Sequence, residues 1–199
     1  MEYVFKCTSY YCFINGSQEI ISALFGYGSF SEEGVSNSAK ALHYFGYGLP
    51  AFAMIKVFSS FFFANHNTKT PFYISFASVI LNIFISVYYF KDIGFLIIPI
   101  ATSISSWFNA IILFIFLKNK NLFSFNNIFI TKFIKIILTS ILMGILFMYL
   151  ITIFENQLVY DYNFKSFFMI FSVILCIIFY LVASYFIKAF NYNDLKLKY

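Results

Sequence analysis

Between Leu42 and Ile187 the chain alternates five long apolar runs with short polar breaks. The runs are Leu42–Ala64, Phe72–Phe90, Ile93–Leu117, Phe133–Phe154 and Phe167–Ile187. At about 1.5 Å of rise per residue, about 20 apolar residues cross the ~30 Å hydrocarbon core of a bilayer, so each run predicts a spanning helix. A further apolar segment, Ile20–Phe25, is far too short to span; the loop-forming Gly26, Gly28 and the Ser31–Ser38 stretch follow it. The pattern predicts an all-α, polytopic transmembrane helical bundle of five full spans plus a short N-terminal apolar stub. Along the chain it divides into residues 1–12, a leader that reads as a misassigned start, residues 13–40, the end of a truncated helix and an outer loop, and residues 41–199, the transmembrane region.

Composition agrees with lipid as the solvent. Of 199 residues, 61% are hydrophobic and 11% are charged, where a soluble domain carries about 25% charged residues. All 13 basic side chains are lysines. Most sit in or beside the breaks and they form no basic face, so the net charge of +5 predicts no nucleic-acid partner. Their placement predicts orientation. Lys69, Lys118, Lys120, Lys132, Lys135, Lys188, Lys196 and Lys198 fall on one side with Asp194. Lys40, Lys91 and Lys165 fall on the other with Glu32, Glu33, Asp92, Glu155 and Asp161. Lysine excess marks the cytoplasmic side, so the C-terminus is expected in the cytoplasm and the Glu32–Lys40 segment outside. Cys7, Cys12 and Cys176 read as free thiols, because no His or acid accompanies the first two at metal-ligand spacing. The first residues lack the pattern of a signal peptide.

Catalytic constellations are absent from the sequence. There is no Ser/His/acid arrangement, no pair of carboxylates within a run, no metal-ligand cluster and no glycine-rich phosphate loop. The chain is therefore expected to be no enzyme and to need no cofactor or metal.

Three stretches carry a resemblance. Glu19 to Phe30, EIISALFGYGSF, resembles the pattern EPIIxLLFxxGxF, with Ile20 where proline is usual. Ala41 to Phe52 with Lys56-Val57 resembles ALxxYxxGLPAFxxxKV. Phe62 to Pro71, FFANHNTKTP, resembles FYAxxDTKTP, with Phe63 for Tyr and Asn67 for Asp. Together with Leu81-Asn82 and Trp107-Phe108-Asn109-Ala110, these residues resemble the C-terminal part of the MurJ (MviN) family of lipid II flippases. The resemblance implies that the five spans correspond to the family's helices ten to fourteen. It implies a C-terminal fragment of a flippase that carries an undecaprenyl-pyrophosphate-linked peptidoglycan precursor across the cell inner (plasma) membrane by alternating access. The implied partners are that lipid, lipid II, the membrane lipids and the missing N-terminal half of the same transporter. By the same resemblance, Phe133–Phe154 and Phe167–Ile187 form an apolar groove for the isoprenoid tail. The family's cationic cavity residues lie mostly on the N-terminal half, so this chain alone is expected to be transport-incompetent. A related exporter of lipid-linked polysaccharides or drugs, and a non-transporting membrane scaffold subunit, are the alternatives.

Individual residues sharpen the expectation. Gly46, Gly48 and Pro50 share one run; proline kinks a helix and glycine permits close approach, which fits either a hinge or a static, packed kink. Lys56 is the one ionisable residue deep within a run, and it either faces a cavity near an anionic headgroup or snorkels to the cytoplasmic interface. Asn82, Ser86, Thr102, Ser103, Ser105, Ser106 and Asn109 are polar groups within spans; they should face other helices, bonding between helices or touching substrate. With half of the transporter missing, Lys56 and the polar face of Ile93–Leu117 are expected to lack partners. In the loop Asn65 to Pro71, which includes Asn67, Thr70 is expected to cap the next helix with Pro71 at its first position. Lys69 serves topology or meets substrate directly. His66 and His43 read as solvated.

Overall fold

The structure, a computed structural model, describes residues 16–120, 127–160 and 162–186, without the side chains of 127–130 and 132–133. The leader, Cys7, Cys12, Asp161, Lys188, Asp194, Lys196 and Lys198 lie outside the described residues. The described chain is helical throughout: α1 Ser17–Phe25, α2 Glu32–Gly46, α3 Leu49–Ala64, α4 Lys69–Ile93, α5 Ile97–Asn119, α6 Asn127–Ile153 and α7 Lys165–Phe186, with short 3-10 turns at Gly94–Leu96 and Glu155–Gln157. By length and composition, four helical stretches are apolar enough to cross a membrane: Glu32–Ala64, Lys69–Asn119, Ile134–Ile153 and Lys165–Phe186. The second has 51 residues and turns at Gly94, where α4 ends, so the described residues hold four to five long apolar helices against the five spans that the hydropathy pattern predicts. Contacts divide the chain into two compact units, one of residues 16–39 and 127–186, the other of residues 40–120.

In the second unit α5 is the central helix. It buries a stripe of small and polar residues, Ala101, Ser103, Ser105, Ser106, Asn109 and Ala110, and continues it with Leu113 and Leu117. Against one side of that stripe α3 runs parallel to α5, joined by Phe58, Phe62, Leu113 and Leu117 in one apolar cluster with Ile74. The rings of Phe58 and Phe114 lie 5.6 Å apart. α4 packs antiparallel on α5, because Asn82 meets Thr102 and Ser105 while Ser75, earlier on α4, meets Asn109, later on α5. The remaining face of α4, with Phe72, Phe76, Ile80, Phe84 and Val87, is exposed. An apolar face gains little by leaving hydrocarbon for another helix, so α4 buries only Pro71, Ile74 and Ser78.

Prolines kink none of these helices, contrary to the expectation for Pro50. The apolar run Leu42–Ala64 is broken before the proline: α2 ends at Gly46, Tyr47 and Gly48 form a turn, and Pro50 sits in the first turn of α3. A proline there gives up an N–H that would have no helical partner anyway. Pro71 and Pro99 likewise occupy the first turns of α4 and α5. At the break Gly48 N–H bonds Phe45 O at 2.9 Å instead of continuing the α-helical ladder. Two freed carbonyls are then taken by α5: Ser103 Oγ donates to Tyr44 O at 2.7 Å and Trp107 Nε1 donates to Tyr47 O at 3.0 Å. Gly48 makes this approach fit, since a Cβ there would meet Ser103 Oγ at 3.0 Å and Ser103 Cα at 3.3 Å. α4 ends at Gly94, whose φ of 69° is a backbone region that glycine enters freely.

In the other unit α6 and α7 form a hairpin around Met143, Phe147, Leu150, Leu158, Met169, Cys176 and Tyr180, and Ala23 of α1 joins this cluster. Hydroxyls buried in the hairpin return to their own helix: Thr139 and Ser140 donate to Ile136 O, and Ser172 donates to Phe168 O at 2.9 Å.

These contacts predict opposite effects at two glycines. Gly48→Val forces α3 and α5 apart and lowers stability by about 1–3 kcal/mol. Gly34→Ala, at a helical site where the added Cβ meets only ordinary contacts of 3.4 Å or more, raises it by about 0.5–1 kcal/mol. Unfolding of the purified protein in detergent, followed by circular dichroism, measures both.

Candidate functional site

The polar residues of α4 and α5 converge on one groove. A cavity of about 270 Å³ is lined by Ser75, Ser78, Asn82, Thr102, Ser106 and Asn109, with Phe52 and Ile55 of α3 on its apolar side. Helical spacing brings this about: Ser75, Ser78 and Asn82 lie three and four residues apart on α4, and Thr102, Ser105, Ser106 and Asn109 do the same on α5. Asn82 Nδ2 donates to Thr102 Oγ1 and to Ser105 Oγ, both at 3.1 Å. Ser86 Oγ donates to Asn82 Oδ1 at 3.4 Å. Asn109 Nδ2 donates to Ser75 Oγ at 3.3 Å. The polar face of Ile93–Leu117 therefore finds its partners on α4 and at the α2–α3 break, where the sequence led us to expect none.

Electrostatically the groove is neutral and rich in acceptors. The hydroxyl hydrogens of Ser78, Thr102, Ser105 and Ser106 all go to main-chain carbonyls of their own helix, at Ile74, Ile98 and Thr102. Their oxygens keep lone pairs to offer. Asn109 is 7% exposed, and its Oδ1 is buried without a hydrogen-bond partner among the described residues. Such a lining suits a group that donates hydrogen bonds. Among the described residues no cluster of His, Cys, Asp or Glu could hold a metal ion.

The other sequence candidates lie around this groove. Of the three cavity candidates, Asn82 and Asn109 come together in it; Lys56 is exposed on α3 and is not part of its lining. Gly46, Gly48 and Pro50 form the α2–α3 break. The α3–α4 loop is built differently from the expectation. Asn67, not Thr70, does the capping: its Oδ1 accepts Thr70 N–H at 3.2 Å and its Nδ2 donates to Thr70 Oγ1 at 2.9 Å. α4 begins at Lys69, with Pro71 third in the helix. His66 has a backbone role. At a φ of 54° it occupies the left-handed position that closes α3, with His66 N–H on Phe63 O and Asn67 N–H on Phe62 O. Lys69 is exposed at the start of α4.

Sequence reasoning missed Lys165, which it counted only as a charge on the outer side. The structure buries this side chain at the first residue of α7, with 1% exposure. Its environment is formed by Gly26, Tyr27 and Tyr160.

Comparison with known proteins gives one answer. The family described as lipid II flippase MurJ matches residues 8–170. A probable lipid II flippase MurJ of Rickettsia prowazekii is 25% identical over 184 residues, covering 89% of this chain and 35% of that protein. One of Thermotoga maritima is 34% identical over 142 residues, covering 71% of this chain and 28% of that protein. Among solved structures, a lipid II flippase MurJ in an inward closed conformation is similar with a TM-score of 0.72 and 26% identity, over 97% of this chain and 37% of that one. The chain thus spans about a third of the length of its relatives.

The groove predicts a contrast between amides and hydroxyls. Asn82→Leu removes the two bonds that join α4 to Thr102 and Ser105 and lowers stability in detergent by about 0.6–2 kcal/mol. A double-mutant cycle with Thr102→Val shows positive coupling. Ser78→Ala, which removes only a bond within α4, shifts stability by less than about 0.5 kcal/mol.

Proposed function

The chain belongs to the lipid II flippase MurJ family, and from that premise we propose that it supplies the C-terminal helices of a transporter that moves lipid II across the cell inner membrane. The observation that carries this is the likeness, along nearly its whole length, to a flippase structure. In this reading the transporter works by alternating access, and the helices of its N-terminal part complete the path. The groove between α4 and α5 and the α6–α7 hairpin are membrane-embedded parts of the C-terminal half. The exposed apolar residues of the hairpin, among them Ile145, Met148, Ile170 and Ile174, form the surface along which the isoprenoid tail runs.

Three local features support the mechanism. The α2–α3 break at Gly46, Tyr47 and Gly48 interrupts the ladder of helical hydrogen bonds, which gives a hinge its physical basis. Lys56, exposed on α3, supplies a cation to the pyrophosphate of the passing headgroup. Asn82 and Asn109 hold the α4–α5 pair rigid beside it. The lysine asymmetry supports a cytoplasmic side for the Asn67, Lys69, Thr70, Pro71 loop and the C-terminus.

Orientation and mechanism are tested separately. A periplasm-active reporter fused after Asn163 gives signal, and one fused after Asn67 or Tyr199 gives none; the reverse pattern rejects the topology. In a full-length protein carrying this segment, Lys56→Met lowers lipid II translocation at least tenfold at matched protein levels. Lys56→Arg keeps part of it, because both cations bind phosphate although their geometries differ. Wild-type translocation by Lys56→Met removes Lys56 from the substrate path. Failure of the unmodified full-length protein to sustain cells depleted of their own flippase rejects the transport reading.

A further inference from the structure

Lys165 is the most deeply buried charged side chain among the described residues. Its Nζ donates to Gly26 O at 2.6 Å and to Tyr160 O. It lies 4.5 Å from the ring centroids of both Tyr27 and Tyr160. Two N–H groups thus reach carbonyls, and the remaining charge faces two aromatic π-clouds, the surroundings in which a desolvated ammonium retains its stabilisation. Gly26 closes α1, so the ammonium also lies at the negative end of that helix.

The bonds around this cation join the same two segments, residues 23–30 and 160–166. Ser166 Oγ donates to Ala23 O and lies 2.9 Å from Tyr27 Oη. Tyr160 Oη donates to Phe30 O at 2.5 Å. Gly26 is shaped for the contact, since a Cβ there would meet Lys165 Nζ at 3.1 Å and Ser22 O at 2.6 Å. Separating the segments would strand the ammonium, several main-chain carbonyls and the Tyr160 and Ser166 hydroxyls together.

We propose that Lys165 is a positioning residue: it clamps the α6–α7 hairpin onto the end of α1, and the clamp stays closed through the transport cycle, so that α1, α6 and α7 move as one body. The proposal rests on the transport reading above and adds to it which helices of the C-terminal half travel together. Lys165 itself touches no substrate; it acts through the position of the hairpin.

The test uses the full-length transporter with Cys7, Cys12 and Cys176 replaced, assayed for lipid II translocation at matched protein levels. Lys165→Met is expected to lose at least tenfold. Tyr27→Cys with Ser166→Cys, joined by a short bifunctional thiol reagent, locks the two segments together. Locking is expected to leave the Lys165 protein within twofold of its unlocked rate and to restore Lys165→Met by at least threefold. A lysine that matters only as a transport charge gives no such rescue. Near-normal transport by Lys165→Met overturns the proposal, and so does arrest of the Lys165 protein by the lock. If Lys165→Met does not accumulate, the lock on the Lys165 protein still decides. Inactivity of the unmodified full-length protein strikes the transport reading instead, so the two failures are distinct.

Discussion

A polar group inside hydrocarbon has no water to turn to, and the architecture of this chain follows from that constraint. Most buried serine and threonine hydroxyls among the described residues meet it within their own helix, by donating to the carbonyl three or four residues back. The mid-span amides of Asn82 and Asn109 instead reach across from one helix to the other and thereby help determine which faces of α4 and α5 meet. Backbone carbonyls released where α2 gives way to α3 would be costly in lipid, and Ser103 and Trp107 of α5 take them. Burial of apolar surface decides much less here than in water, because lipid tails serve an isoleucine as well as another helix does. This is why α5, with its small and polar stripe, sits at the centre of its unit while α4 leaves Phe72, Ile80 and Val87 facing outward.

Much of the fold was legible in the pattern of the chain. Run lengths locate the helices, the polar Lys91 and Asp92 mark the break after Phe90, and Gly48 works by close approach as its place in the run suggests. What was not legible depended on backbone geometry or on partners distant in sequence. Hydropathy treats Leu42–Ala64 as continuous because tyrosine and glycine do not look polar, so it missed the turn at Tyr47 and misread Pro50 as a kink. Thr70 before Pro71 is a sound helix start by local rules; the loop shifts that start to Lys69 because Asn67 carries both an acceptor and a donor and satisfies Thr70 twice. Lys165 was the largest miss. Its main partner, Gly26, lies 139 residues away, and a lysine in a polar break looks no different from one that only sets topology.

The candidate site was half visible. Asn82 and Asn109 stand out as amides inside apolar runs, and the structure brings them into one groove. Lys56 stands out more strongly as a charge, yet α3 turns it away from that groove. The two asparagines line the groove within these helices, and the lysine stands outside it.

The split between hydroxyls that serve their own helix and amides that need a neighbour bears on how the protein is made. A helix whose polar groups are already satisfied can leave the translocation channel alone. The mid-span hydroxyls of α6 and α7, Thr139, Ser140, Ser172 and Ser184, are all bonded within their own helix, so for these groups neither span needs a neighbour. In α4, by contrast, Asn82 Oδ1 accepts from Ser86 of the same helix while the amide hydrogens go to Thr102 and Ser105 of α5. Those partners lie 20 and 23 residues further along the chain, just past the reversal at Gly94, so the amide ties the placement of α4 to that of α5.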